Sequence, residues 1–375
     1  MTPRETAGSA LSLSVQELVA RARADLRIGA PVALTSASGG ALVVAAEALS
    51  DARLAALRAA GPQALDLAVN FRRAETLRAR AYDGVLARVV VPPGADAAWV
   101  RATADPARDL ATPLKGPYAT RREGPWDLHA LAIGLAKQAR LLPAALVAAW
   151  SDPDRVRALA GAAGLTVVSE ALIAEAAAPG PRMQRVAHAR VPTRFAEAGR
   201  CHVFRPADGG EEHYAIEIGR PSRHAPVLAR LHSACFTGDV LGSLKCDCGA
   251  QLAAAMTQIA GEGAGVLLYM NQEGRGIGLA NKMRAYALQE QGFDTVEANH
   301  RLGFEDDERD FRLGAEILRA LGFSAVRLMT NNPAKLEMMG HWGVAVAERV
   351  PLRAGRTDRN AAYLATKAAK SGHLL

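Results

Sequence analysis

Residues 266–291 read VLLYMNQEGRGIGLANKMRAYALQEQ. The apolar run at 266–269 has the length and composition of a buried strand. Glycines at 274, 276 and 278 then break it with a turn, and from 278 to 291 apolar residues return at helical spacing. A strand, a Gly-rich turn and a helix in immediate succession are the repeating unit of an α/β fold. On the C-terminal side the spacing predicts a helix over 310–320, ended by Leu321-Gly322, and a strand over 325–329 that runs into Thr330-Asn331-Asn332-Pro333. On the N-terminal side strands are expected at 213–218, 202–204 and 185–191.

Upstream, residues 176–181 read AAAPGP, a linker by composition. Before it, strands are expected at 31–34 and 41–45, a helix at 52–60, and a strand at 85–91 ending on Pro92-Pro93. A helical period spans 128–149, with Pro143 beginning or breaking a turn inside it. A helix at 154–163 and a strand at 165–168 follow. The chain therefore reads as two α/β domains, 1–178 and 183–375.

With 375 residues, half of them hydrophobic, two or three domains can each bury a core. A net charge of +7 suits a phosphate-bearing partner, nucleotide or nucleic acid, and equally suits a merely basic surface. No block of like charge is long enough to be a nucleic-acid tail. The N-terminus carries Glu5, Glu17 and Asp25 without a continuous apolar core, so it is not a secretory signal. No stretch approaches the roughly 18 apolar residues of a membrane-spanning helix. The expectation is a soluble, cytoplasmic protein.

Of the four cysteines, Cys235, Cys246 and Cys248 fall in CFTGDVLGSLKCDC, whereas Cys201 stands apart as an ordinary thiol. That crowding points to a metal rather than to disulfides. A Cys-x-Cys pair can place two thiolates on one ion, with Gly249 allowing a sharp turn. The third sulfur joins if 237–239 folds back as a loop. Three protein ligands leave one position open, the arrangement of a catalytic zinc, and zinc activates water near neutral pH. A fourth ligand from Cys201 or His232 would instead make the site structural. The segment QEGRGIG (272–278) is neither a dinucleotide fingerprint nor a P-loop, yet its N–H groups and Arg275 suit phosphate; the alternative is a plain strand-to-helix turn without a ligand. Lys282, Arg284, Arg309 and Lys335 read individually as solvated surface charges. The acids of 306–310 read as charges at a helix start or as a general base beside a cation.

Six motifs occur in order: HSACFTGDVLGSLKCDCGAQL, YMNQEGRGIGLANKMRAYALQEQGFDTVEANHRLGF, DERDF, LMTNNPAK, ERVPL and the terminal KSGHLL. From about 185 to 375 the chain resembles GTP cyclohydrolase II, the zinc enzyme that opens riboflavin synthesis. The resemblance implies a mixed sheet with helices, and hydrolysis of GTP to a 2,5-diamino-6-ribosylamino-pyrimidinone phosphate with release of formate and pyrophosphate. It implies zinc on Cys235, Cys246 and Cys248, Mg²⁺ with the triphosphate, and a homodimer that binds neither nucleic acid nor membrane. Tyr286 would assist ring opening, Asp307 would be the proton acceptor and Arg309 the group proposed as nucleophile at the α-phosphate. Arg230, Leu231, His232, Ser233, Ala234, Gln251, Glu273, Gly274, Arg275, Thr295, Thr330 and Lys335 would line the GTP site, with Glu273 accepting from guanine N1 and N2. The chain departs from the family at Ala234, where a glutamate is common, and at Lys245, where arginine is common. Two other readings are a variant that stops at the formamidopyrimidine intermediate and a zinc-stabilised nucleotide-binding regulator.

Residues 22–149 resemble, distantly, a 3,4-dihydroxy-2-butanone 4-phosphate synthase. That family holds magnesium on an acid-rich loop. Here the matching stretch reads TSASGGALVVAAEAL, without a carboxylate before Glu47, and the family's Gly-His-Thr-Glu-Ala segment falls on Asp127-Leu128-His129-Ala130. An inactive domain is expected.

Overall fold

Local chemistry starts the first helix. Ser14 accepts from the Glu17 N–H at 3.2 Å while the Glu17 carboxylate accepts from the Ser14 N–H at 2.8 Å, a complete capping box before Val15–Arg27 (α1). The computed structural model describes residues 11–178, 183–355, 357 and 360, so the terminal KSGHLL and residues 179–181 of the expected linker lie outside the described residues. The chain divides into two compact units. The first holds the described residues up to 178 together with Arg284–Gln291 and Ala298–Glu305; the second holds the remainder.

In the first unit α1 is followed by strands Val32–Ser36 (β1) and Gly39–Ala45 (β2), helix Asp51–Ala59 (α2), strand Ala64–Asn70 (β3), helix Phe71–Leu77 (α3), strand Leu86–Val90 (β4) and helices Ala97–Ala104 (α4) and Asp127–Gln138 (α5). Strand Ala144–Trp150 (β5), helix Pro153–Ala163 (α6), strand Val167–Ser169 (β6) and helix Glu170–Ala177 (α7) complete it. The sheet order is β4-β3-β5-β2-β1-β6, antiparallel except for β1 beside β6. The continuous helix expected at 128–149 is corrected: it is α5 and then β5, with Pro143 at the break. Ala144, Ala145, Leu146, Val147 and Ala148 are all buried, and a strand covered on both faces loses the alternation that would have marked it. Glu47 accepts from the Leu142 N–H at 2.6 Å and pairs with Arg284 at 3.3 Å, tying the second-half segment into this unit.

In the second unit Met183–Arg190 (β7), Gly199–Pro206 (β8) and His213–Ile218 (β9) form an antiparallel meander. Strand Val227–Ser233 (β10), the short helix Phe236–Asp239 (α8), helix Cys248–Gly261 (α9) and strand Gly265–Met270 (β11) follow. Along the chain then come helices Leu279–Glu290 (α10) and Thr295–Leu302 (α11), of which residues 284–290 and 298–302 group with the first unit, then helix Arg312–Ala320 (α12), strand Ala325–Met329 (β12), helix Pro333–His341 (α13) and strand Ala345–Val350 (β13). The seven-stranded order is β13-β12-β10-β11-β9-β8-β7, with β13, β12, β10 and β11 mutually parallel. Val266, Leu268 and Met270 of β11 pack with Ala315, Ile317 and Leu318 of α12 on one face, while Leu267 packs with Ala255, Met256 and Ile259 of α9 on the other. Period-2 alternation thus feeds two apolar layers, and each fully buried Leu contributes roughly 2 kcal/mol. The expected two-domain α/β class, with a mixed sheet in the second half, is what the structure has.

Candidate metal centre

The parallel strands β10, β11 and β12 lead into the candidate site, which lies beyond their carboxyl ends, where open α/β sheets place ligands. β10 runs into Ala234-Cys235, β11 into Gln272-Glu273, and β12 into Thr330. The sulfurs of Cys235, Cys246 and Cys248 lie within 4.8 Å of one another, and Cys235 to Cys246 is 3.7 Å. Tetrahedral zinc with bonds of about 2.3 Å sets sulfurs about 3.8 Å apart, so the residues fit the ion. The cradle is also cut to size: a Cβ on Gly238 would lie 2.7 Å from Cys246 Sγ and 3.1 Å from Cys235 Sγ. Among the described residues no other histidine, cysteine, aspartate or glutamate joins this group. His232 instead turns Nε2 to Asp239 at 3.1 Å, and Cys201 lies on β8, its thiol pushed up by burial. Hydrogen bonds from Cys246 and Cys248 outweigh burial and, with the Lys282 ammonium, hold the Cys235 thiol far below its usual range.

Local folding differs from expectation at two points. Residues 237–239 form part of α8 rather than a loop, and Gly249 lies inside α9. Gly249 is required by close approach, because a Cβ there would come 2.2 Å from the Gly238 carbonyl oxygen. Asp239 organises the segment: it accepts from the Cys235 N–H at 3.0 Å and the Tyr269 hydroxyl at 2.9 Å. On the other side, Arg230 donates to the Met329 carbonyl at 2.9 Å and to Gln251 at 2.7 Å, and Gln251 donates to Asp247 at 2.6 Å. This relay ties β10, β12 and the residue between the paired cysteines. Burial pushes the Arg230 guanidinium down to about 10.

The Gly-rich turn is built around left-handed backbone, with φ +61° at both Gly274 and Arg275 and +95° at Gly276. A Cβ on Gly276 would stand 2.7 Å from the Glu308 carbonyl group, so glycine lets the turn seat against 306–309. Glu308 N–H donates to the Arg275 carbonyl at 2.9 Å, and Arg275 donates to the Asp306 carbonyl at 3.0 Å. Arg309 is clamped by Asp307 at 2.7 Å and donates to Ser233 at 3.1 Å. Burial opposes ionisation of Asp307, but the Arg309 hydrogen bonds and charge, with Arg275, hold it below the usual carboxylate range. Lys335 donates to the Leu231 carbonyl at 3.0 Å, and its ammonium stands 5.0 Å from the Phe311 ring centre. The helix expected from 310 starts at Arg312, with Asp310 accepting from its N–H at 3.0 Å.

Glu273 accepts from Phe236 N–H at 2.6 Å, Gly274 N–H at 2.9 Å and Lys282 at 2.9 Å. Three of a carboxylate's roughly four acceptor sites are thereby used, so taking both guanine donors would require displacing one of these. Ala234 donates its N–H to the Met270 carbonyl at 2.8 Å, and Thr330 Oγ1 accepts from the Asn332 N–H at 3.0 Å. Thr295 is the first residue of α11; Tyr286 is half-buried on α10, in the segment that groups with the first unit. Lys282 and Lys335, read as surface charges, are 9 % and 6 % exposed. Sequence reasoning missed Asp239, Tyr269 and Asp247 as organisers.

Residues 184–351 match the family model described as GTP cyclohydrolase II. The chain is 46% identical over 362 residues to the GTP cyclohydrolase-2 of Azospirillum brasilense, covering 95% of this chain and 93% of that one. It is 57% identical over 194 residues to the GTP cyclohydrolase-2 of Escherichia fergusonii, covering 52% of this chain and 98% of that one. Among solved structures, a two-domain 3,4-dihydroxy-2-butanone 4-phosphate synthase from A. baumannii aligns with a TM-score of 0.32 at 16% identity, covering 90% of this chain and 99% of that chain.

Proposed function

The chain belongs to the GTP cyclohydrolase II family, and on that premise we propose that it hydrolyses GTP at a zinc ion held by Cys235, Cys246 and Cys248. Formate and pyrophosphate leave, and the diaminopyrimidinone phosphate that starts riboflavin synthesis remains. The observation that carries this reading is the three-sulfur cluster without a fourth protein ligand among the described residues, set beside a cation-rich rim. When bound, zinc supplies a Lewis acid and activates water near neutral pH.

The chain's own residues do the rest. Arg309, aimed by Asp307 and Ser233, and Lys335, fixed on the Leu231 carbonyl, meet phosphate oxygens; with Mg²⁺ they neutralise the charge that phosphoryl cleavage develops. Arg309 acts as a phosphate contact, its planar guanidinium oriented by the Asp307 carboxylate. Radiolabel from GTP recovered on the denatured protein would contradict that role and support a covalent one. The Gly274–Gly276 turn carries Arg275 as a further cation toward the nucleotide. Glu273 takes a guanine donor with its remaining acceptor site, and Tyr286 assists ring opening. Free thiolates that must stay reduced to hold metal support a cytoplasmic location. The homodimer follows from the family resemblance, and sedimentation tests it.

Incubation with GTP, Mg²⁺ and Zn²⁺ should yield formate, pyrophosphate and the pyrimidine. GTP consumption without formate would mean that the reaction stops at the formamidopyrimidine. Binding without turnover would make the protein a nucleotide-dependent regulator.

A further inference from the structure

Lys282 lies in the first turns of α10, directly after the Gly-rich turn, and is 9 % exposed. Its ammonium donates to Cys235 Sγ at 3.1 Å, Thr237 Oγ1 at 2.9 Å and Glu273 Oε1 at 2.9 Å. An ammonium has three protons, so these acceptors match its full capacity. The backbone accommodates the approach: a Cβ on Gly274 would stand 3.1 Å from Lys282 Cβ. Three thiolates make any divalent ion electron-rich, which works against its action as a Lewis acid. A charged donor on one sulfur withdraws density from that ligand, and groups behind the ligands tune both affinity and reactivity.

We infer that Lys282 is a positioning residue of the metal centre, its fixed charge setting the donor strength of Cys235 while it locks Glu273 against the cysteine segment. The inference deepens the zinc reading and rests on it. No proton moves in this role; the lysine acts as a standing cation.

The test uses full-length protein reconstituted with Co²⁺ or Zn²⁺, as wild type and as Lys282→Met. Without the charged donor, the sulfur-to-cobalt charge-transfer band should move to longer wavelength. The cysteine segment also loses its anchor to Thr237 and Glu273, and this loss of preorganisation outweighs the stronger sulfur donor, so the zinc dissociation constant, read by chelator competition, should rise about 10–100-fold. With saturating zinc, kcat should fall more than KM for GTP rises. A folded Met variant with the wild-type band and zinc affinity would overturn the inference. If that variant does not fold, Lys282→Gln, which keeps two amide N–H donors without the charge, should show the same band shift and weakened affinity, and wild-type values there would overturn the inference equally. Wild-type protein that gives no thiolate–cobalt band at all would remove the metal itself, so failure of the zinc reading is distinguished from failure of the lysine's role.

Discussion

Gly238 shows how tightly single atoms constrain this site. The carbon added by Gly238→Ala would stand 2.7 Å from Cys246 Sγ and 2.9 Å from Cys248 Cβ, closer than real contacts allow, so a sulfur must move. The variant should lose roughly tenfold or more in zinc affinity, measured by competition with a chromogenic chelator; unchanged affinity would show that the cradle is not the metal site. Asp307 works through charge. Its native ionisation lies below the ordinary value because Arg309 and Arg275 outweigh the burial that opposes it. The stability that it contributes is complete above the unfolded carboxylate value near pH ~4 and fades as pH falls toward the lowered native value. Asp307→Asn should therefore cost about 1 kcal/mol at neutral pH, discounted for a side chain that is 32% exposed, and almost nothing in strong acid. Urea denaturation at the two pH values checks the sign.

At the scale of elements, the site is the place where the ends of β10, β11 and β12 meet, and the docking of the Gly-rich turn onto 306–309 closes it. In Gly276→Ala the left-handed φ of +95° and a Cβ 2.7 Å from the Glu308 carbonyl group act together. Stability should fall by about 1–3 kcal/mol and KM for GTP should rise, as read by thermal denaturation and initial rates. An unaltered KM would separate the turn from nucleotide binding. This element was legible in sequence because its signals are local: an apolar run, glycines at 274, 276 and 278, and a helical period. The strand at 144–150 was not legible, since burial on both faces gives it the same uninterrupted alanines and leucines as the helix before it. The cysteine cluster could be read from spacing alone. Asp239, Asp247 and Lys282 could not, because an acid or a lysine shows its role only through partners that folding brings to it: His232 and Tyr269, Gln251, and Cys235.

At the scale of the whole molecule, the described residues carry two sheets and one cysteine cluster. In the first unit the segment that matches the synthase family's magnesium loop offers Ser36 and Ser38 in place of acids, and Ser38 is spent on Asp127 at 2.6 Å. Glu47 is used by the Leu142 N–H and Arg284. Among the described residues the first unit has no group of three or more histidine, cysteine, aspartate or glutamate side chains placed to hold an ion. With serines where the synthase family has acids, purified protein with ribulose 5-phosphate and Mg²⁺ is expected to give no synthase product above background, and measurable turnover would show that the unit has kept a site by other means. The account as a whole is tested most directly by formate release from GTP during zinc titration of metal-stripped, still-folded protein. Activity should be absent without zinc, rise to a plateau at one ion per chain, and stay absent throughout in Cys246→Ser. Formate release that persists after zinc removal, or that survives the serine substitution, would contradict it.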